Sequence, residues 1–265
     1  MQSIALISKK GQRYKVTIPD PKPKLKSAYI FAFVKSGSTL LNNMVETYCK
    51  RADVPFFSLF NSAFDQGVST QNIQEDALVC FKRTGCIYTG FRHFPAFNLD
   101  VTDAAVIWLA RDPRDMLVSR YYSILKSHKI PKGLVSKMMI RSRNAAKKLD
   151  INQYAIRTSK SFARDYQLYR NKFTDSDLKV YRYEDVIYKK EEWLTDVVAK
   201  LGLQHNTELV GDIARQFDVF PKAENESAHI RQVHPGDHTK KLTPQTITKL
   251  NTILSDFLTY FDYEH

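Results

Sequence analysis

Two uninterrupted apolar runs, residues 28–34 (AYIFAFV) and 104–110 (AAVIWLA), have the length of strands and show no alternation of polar and apolar positions. A parallel strand covered by helices on both faces has that pattern. Behind each run the period changes to the helical one. After the first, Leu40, Leu41, Met44, Val45 and Tyr48 fall on one face of a helix starting at Thr39. After the second, Asp112 is placed as N-cap, with Pro113 at the first helical position and Asp115 near the third, and the helix is expected to run to about Lys126. Residues 178–186 (LKVYRYEDV) read as a third strand ending in a polar turn. Residues 189–203 and 243–261 read as amphipathic helices, the latter capped by Thr243 with Pro244 at its first position. Ahead of these, two short alternating runs around Gly11 predict an edge hairpin, and the proline-rich stretch 19–27 predicts an extended connector.

Alternating strands and helices predict an α/β fold in which a mainly parallel sheet is flanked by helices. No repeat, low-complexity tract or linker divides the chain, so residues 1–265 are expected to form a single domain, with 1–27 as its N-terminal hairpin and connector. An apolar content of 43% in 265 residues is enough for a substantial core, and Trp108 and Trp193 are expected inside it. The apolar runs are far too short to span a membrane, and the N-terminus has only four consecutive apolar residues before charges begin. A cytoplasmic location is expected. Cys49, Cys80 and Cys86 show no metal-ligand spacing and are expected to be free thiols.

The net charge of +12 is unevenly placed. Residues 126–172 hold thirteen Lys and Arg against two acids, Asp150 and Asp165, while the remainder is nearly balanced. That segment is expected to attract something anionic, although a solvated helical face has the same composition.

The junction between the first strand and its helix is Lys35-Ser36-Gly37-Ser38-Thr39. A loop feeding a helix N-terminus offers free N–H donors at the positive end of the helix dipole. Hydroxyls, a glycine that admits close approach and a lysine complete a cradle for a phosphate-like group. An ordinary turn with a surface lysine has the same residues. It is not the triphosphate loop, because the lysine precedes the glycine and the nearby acids outline no Mg²⁺ site. At the second junction Arg111 and Ser119 lie eight residues apart, about two helical turns, and can grip a second anion; an ion pair of Arg111 with Asp112 or Asp115 is the alternative. Two grips on adjacent strand ends imply a ligand with two separated phosphate-type groups.

At these residues the chain resembles the sulfotransferases that use 3′-phosphoadenosine 5′-phosphosulfate (PAPS) and release adenosine 3′,5′-bisphosphate (PAP). VKSGSTLL is similar to the family's P-K-S-G-T-T-W loop, and LARDPRDMLVSRYYS to its R-x-P-[KR]-D-x-x-V-S-x-Y motif. VYRYEDV, QFDVFPKAEN and IRQVHPGDHTKKLTPQ follow in the family's order. The resemblance implies the P-loop-like sulfotransferase fold, with Lys35, Ser36, Gly37, Ser38 and Thr39 on the 5′-phosphosulfate. It places Arg111, Ser119 and Arg231 on the 3′-phosphate, and Tyr183 and Phe217 at the adenine. His93, two residues before Pro95, matches the family's catalytic base. Lys35 would stabilise the leaving oxygen and Ser119 tune that lysine. A structural histidine is the alternative for His93, and packing residues the alternative for Tyr183 and Phe217. His128, His205, His229, His234, His238 and Glu75 are the rival bases. The resemblance implies no metal and no nucleic-acid partner; a polyanion-binding protein gripping through 126–172 is the non-enzymatic alternative. The acceptor is a small molecule, glycan or lipid, anionic if the basic segment faces it, with peripheral membrane contact open. Val34, Leu40, Arg92, Val233 and His238 depart from the family's proline, tryptophan, threonine, glycine and tryptophan. The family's K-x-x-x-T-V-x-x-x-E dimer patch is absent, with Pro244 at its valine.

Overall fold

The computed structural model describes residues 1–127, 134–226, 228 and 231–265. Strands β1 (Gln2–Ile7) and β2 (Arg13–Ile18) form an antiparallel hairpin with Gln2 opposite Ile18. The remaining strands, β3 (Ala28–Ala32), β4 (Phe56–Phe57), β5 (Ile87–Phe91), β6 (Ala105–Ala110) and β7 (Asp177–Arg182), make one sheet in the order β4-β5-β3-β6-β7. Every pairing in it is parallel, and helices cover it, as an α/β sequence pattern predicts.

The helices are α1 (Ser38–Arg51), α2 (Leu59–Asp65), α3 (Pro113–Tyr122), α4 (Leu134–Ala146) and α5 (Ile151–Lys172). After them come α6 (Tyr183–Val186), α7 (Lys190–Lys200), α8 (Thr207–Gln216), α9 (Asp237–Lys241), α10 (Pro244–Ile253) and α11 (Ser255–Tyr260). The apolar runs conceal a division of labour between the two sheet faces. Tyr29, Phe31, Phe33 and Trp108 point to one face, where they meet Tyr166 and Tyr169 of α5 and Phe257 of α11. Ala28, Ile30, Ala32, Ile107 and Leu109 point to the other, against Leu41, Met44 and Val45 of α1 and Trp193 of α7. The three cysteines are free and buried, and no described helix is long and apolar enough to cross a membrane.

The strand and polar turn expected over 178–186 divide at Arg182: residues 183–186 form one helical turn, and Arg182 pairs with Asp185 at 2.8 Å. Two helix boundaries differ from the sequence expectations. Helix α3 stops at Tyr122 and passes into a π-turn, Ser123–Ser127. The helix expected over 243–261 breaks at Leu254, whose φ of −107° leaves the helical range. α5 starts with a capping box, Asp150 with Gln153, that marks its N-terminus.

The hairpin braces α2. Gln66, the C-terminal cap of that helix, accepts from the Lys15 N–H at 2.9 Å and donates to the Lys15 carbonyl at 2.7 Å. α2 in turn approaches β5 at Gly90, whose φ of +86° and missing side chain leave room for the capping Ser58: a Cβ there would lie 2.2 Å from Ser58 Oγ.

Candidate active site

β3 and β6 lie side by side, so the turns leaving their C-terminal ends are neighbours. The last bond between them runs from the Phe33 N–H to the Leu109 carbonyl at 3.3 Å. The first chain then turns through Lys35 (φ 72°) and Gly37 (φ 97°) into α1. No side chain caps that helix. The first-turn N–H groups of Ser38, Thr39 and Leu40 are therefore left free by the helix geometry, at its positive end. All three residues line a cavity of about 600 Å³. Gly37 is fixed twice over, by its left-handed backbone and by the Tyr183 ring, which a Cβ would approach to 2.8 Å. Ser36 departs from the expectation of an anion contact. It is buried, does not line the cavity, and directs both its N–H and its hydroxyl to the Phe33 carbonyl, at 3.2 and 2.8 Å. Closing the turn consumes its donors.

At the second junction Asp112 caps α3 as expected, accepting from the Arg114 N–H at 2.8 Å. Arg111 is buried, with Nη2 3.2 Å from Asp115 Oδ2 and its guanidinium carbon 4.5 Å from the centre of the Tyr183 ring. The ion pair offered by the sequence is thus real. It does not exhaust the side chain, because Arg111 Nε is buried with no hydrogen-bond partner among the described residues. Arg111 and Ser119 both line the cavity.

Asp115 gathers the late loop onto this arginine. It accepts from the Gly236 N–H at 2.8 Å, the His238 N–H at 2.9 Å and His238 Nδ1 at 2.8 Å. Burial would raise its pKa, but the His238 hydrogen bonds and the Arg111 charge outweigh that and hold it below the usual carboxylate range. The same loop carries Arg231 into the cavity, paired with Glu224 and Asp237 and stacked 4.7 Å from the Tyr122 ring centre. Tyr183 donates its hydroxyl to the Val233 carbonyl at 2.8 Å, and Phe217, at the end of α8, closes the same wall with Leu40 and Val219.

His93 follows β5 and also lines the cavity, with Nδ1 3.1 Å from Asp165 Oδ2. Its neighbour Arg92 donates to Ser38 Oγ at 3.2 Å and to Asn61 Oδ1 at 3.5 Å, both neutral oxygens. Lys35 has no ion pair among the described residues. Burial, with the like charges of Arg111, Arg92 and Arg231, lowers its pKa from 10.5 to about 8. A cationic amine held under that pressure is prepared for an anion. Of the rival bases, His205, His234, His238 and Glu75 do not line the cavity; His238 is committed to Asp115, and His128 and His229 lie outside the described residues. Sequence reasoning passed over Arg92, Asn61 and Asp165. Arg92 registered only as a departure from threonine, and nothing local marks Asp165, 72 residues from its partner.

The sulfotransferase domain profile matches residues 91–258, well over half of the chain. The chain belongs to the sulfotransferase family. The matched region contains Arg111, Ser119, Tyr183, Phe217 and Arg231; the Lys35 loop precedes it and joins these residues through the sheet. The structure of mouse sulfotransferase SULT7A1 complexed with PAP matches with a TM-score of 0.54 at 12% identity, over 88% of this chain and 84% of that one, and shows that the fold is a sulfotransferase fold. A retinol dehydratase structure in a complex with retinol and PAP matches with a TM-score of 0.48 at 13% identity, over 97% and 90% of the two chains. No curated protein matches the chain by sequence.

Because Asp115 is depressed, its contribution to this sulfotransferase's stability is complete above the carboxylate's unfolded pKa of about 3.9 and is lost as pH falls through the lower folded value. Asp115→Asn is expected to cost about 1–3 kcal/mol at pH 7. Urea denaturation should show the gap between wild type and variant closing below about pH 4; a gap that widens there contradicts this account of the carboxylate.

Proposed function

We propose that this enzyme transfers the sulfuryl group of PAPS to a hydroxyl or amine of a small-molecule, glycan or lipid acceptor. The observation that supports this most directly is the pair of cationic grips on adjacent strand ends within one cavity. Lys35, Gly37 and the free N–H groups of Ser38 and Thr39 suit the 5′-phosphosulfate. Arg111 through its unpartnered Nε, Ser119 and Arg231 suit the 3′-phosphate, and Tyr183 and Phe217 suit the adenine. Ser36 supports the loop without donating to the ligand.

PAPS supplies the sulfuryl group and departs as PAP. The protein's part is positioning and charge stabilisation. Lys35 neutralises charge developing on the departing phosphate oxygen. Arg92, which also lines the cavity and has no carboxylate partner among the described residues, donates to Ser38, so two positive side chains suit the two charges of a phosphosulfate. His93 accepts the proton of the attacking acceptor, a role worth about 10²–10⁴ in rate. Phe60 and Phe64 of α2 line the same cavity as His93 and offer an acceptor apolar surface. The whole chain acts as one domain on this reading, with the 1–27 hairpin and connector holding α2 in place. On this reading the described helices of the basic segment 126–172 lie on the acceptor side: α5 reaches His93 through Asp165 and exposes Arg157, Lys160 and Arg164 on one face, while α4 exposes Lys137 and Arg141.

Thermal-shift titration with PAP tests the reading. A shift that needs no Mg²⁺, is abolished in Arg111→Ala and is weakened in Arg111→Lys is expected, since lysine keeps the charge but not the fork. Lys35→Ala should lower turnover with labelled PAPS by about 10²–10³ with the fold intact; wild-type turnover would sink the assignment of that loop. Because Lys35 loses its proton near pH 8 in the free protein and a bound anion restores it, PAP affinity should decline as pH rises above 8. Isothermal titration should find the decline in wild type and a flat profile in Lys35→Arg. If the basic segment faces an anionic acceptor, the acceptor KM should rise steeply between low and moderate salt, and a salt-independent KM removes that part of the reading.

A further inference from the structure

We infer that Asp165 is a positioning residue for His93: its carboxylate fixes the imidazole so that the proton sits on Nδ1 and the lone pair of Nε2 is presented to the acceptor. The inference rests on the reading of His93 as the base and adds the group that makes it one.

The two side chains come from elements far apart in the chain. His93 follows the C-terminal end of β5, and Asp165 lies in the middle of α5, with Nδ1 and Oδ2 3.1 Å apart. An ionised carboxylate only accepts hydrogen bonds, so the nitrogen facing it is the protonated one and Nε2 is left as the acceptor. The helix is a firm platform. It opens with a capping box, and Phe162, Tyr166 and Tyr169, which flank Asp165, are buried at 3%, 1% and 0% exposure. The pair itself is different, with side-chain exposures of 36% and 37%. A contact that open adds little to folding, whereas an oriented imidazole at the wall of the cavity has a use.

The charges around the ring give the carboxylate a second task. Lys35, Arg92, Arg111 and Arg231 line the same cavity, as do Lys190 and Glu226. Nearby cations disfavour an imidazolium; Asp165 favours it. When the acceptor oxygen forms its bond to sulfur, its proton moves to Nε2. The S–O bond to the 5′-phosphate breaks with the electron pair leaving on the phosphate oxygen, and Asp165 stays ionised against the new imidazolium. His93 returns the proton to solvent.

The test compares wild type, Asp165→Asn, Asp165→Glu and His93→Gln for PAP affinity, kcat and acceptor KM. For Asp165→Asn the expected result is PAP affinity and melting temperature near wild type, with kcat lowered about 10- to 1000-fold. Asp165→Glu should recover part of the loss. An Asp165→Asn enzyme with wild-type kcat, beside an inactive His93→Gln, overturns the role of Asp165 alone. A fully active His93→Gln overturns the base and the inference with it. Should the asparagine variant fold poorly, ¹⁵N spectra of wild-type histidines decide: Nδ1 protonation of neutral His93 is expected, and Nε2 protonation refutes the inference.

Discussion

The in-register parallel pairing of β3 with β6 is the constraint on which the site depends. Ala28 stands opposite Ala105 and Ala32 opposite Leu109, so both strands finish at the same level and both following turns open to the same side. Each turn starts a helix, which brings Lys35 and Arg111 to one cavity although 76 residues separate them. Tyr183, just beyond the end of β7 on the far side of β6, completes the arrangement. Its ring meets both the bare backbone of Gly37 and the Arg111 guanidinium, so one side chain contacts both turns.

Charge is distributed unequally around that frame. Arg111 and Arg231 are held by carboxylates, Asp115 for the first and Glu224 with Asp237 for the second. Fixed carboxylate partners keep the buried guanidinium groups in place and offset part of their desolvation cost. Lys35 and Arg92, which line the same cavity, lack such partners among the described residues, and burial, with the like charges of the neighbouring arginines, lowers the Lys35 pKa. The cavity thus holds cations with resident carboxylates beside cations without one.

Much of the fold was legible because β3 and β6 are buried on both faces and two of the helices are punctuated by Asp112-Pro113 and Thr243-Pro244. The glycine and hydroxyls of the first loop and the Arg111–Ser119 spacing were also legible, since both are local. What the sequence hid is either long-range or geometric. Asp165 reads as one of two acids in a basic stretch until α5 is laid against the end of β5. Ser36 has the composition of a ligand and the geometry of a strut, a distinction made by two hydrogen bonds to one carbonyl. Short elements such as α2, two helical turns capped by Ser58, carry too little periodicity to be found from pattern alone.

The pairing of Arg231 with Glu224 bears on how fast such an enzyme can cycle. Glu224 also binds Lys241, at 3.0 Å, so a second cation holds it at this place. If Arg231 takes the 3′-phosphate as proposed, that phosphate competes with a resident carboxylate, and on departing it leaves a cation whose replacement partner is at hand. Resident competition of this kind weakens retention and hastens exchange of the nucleotide.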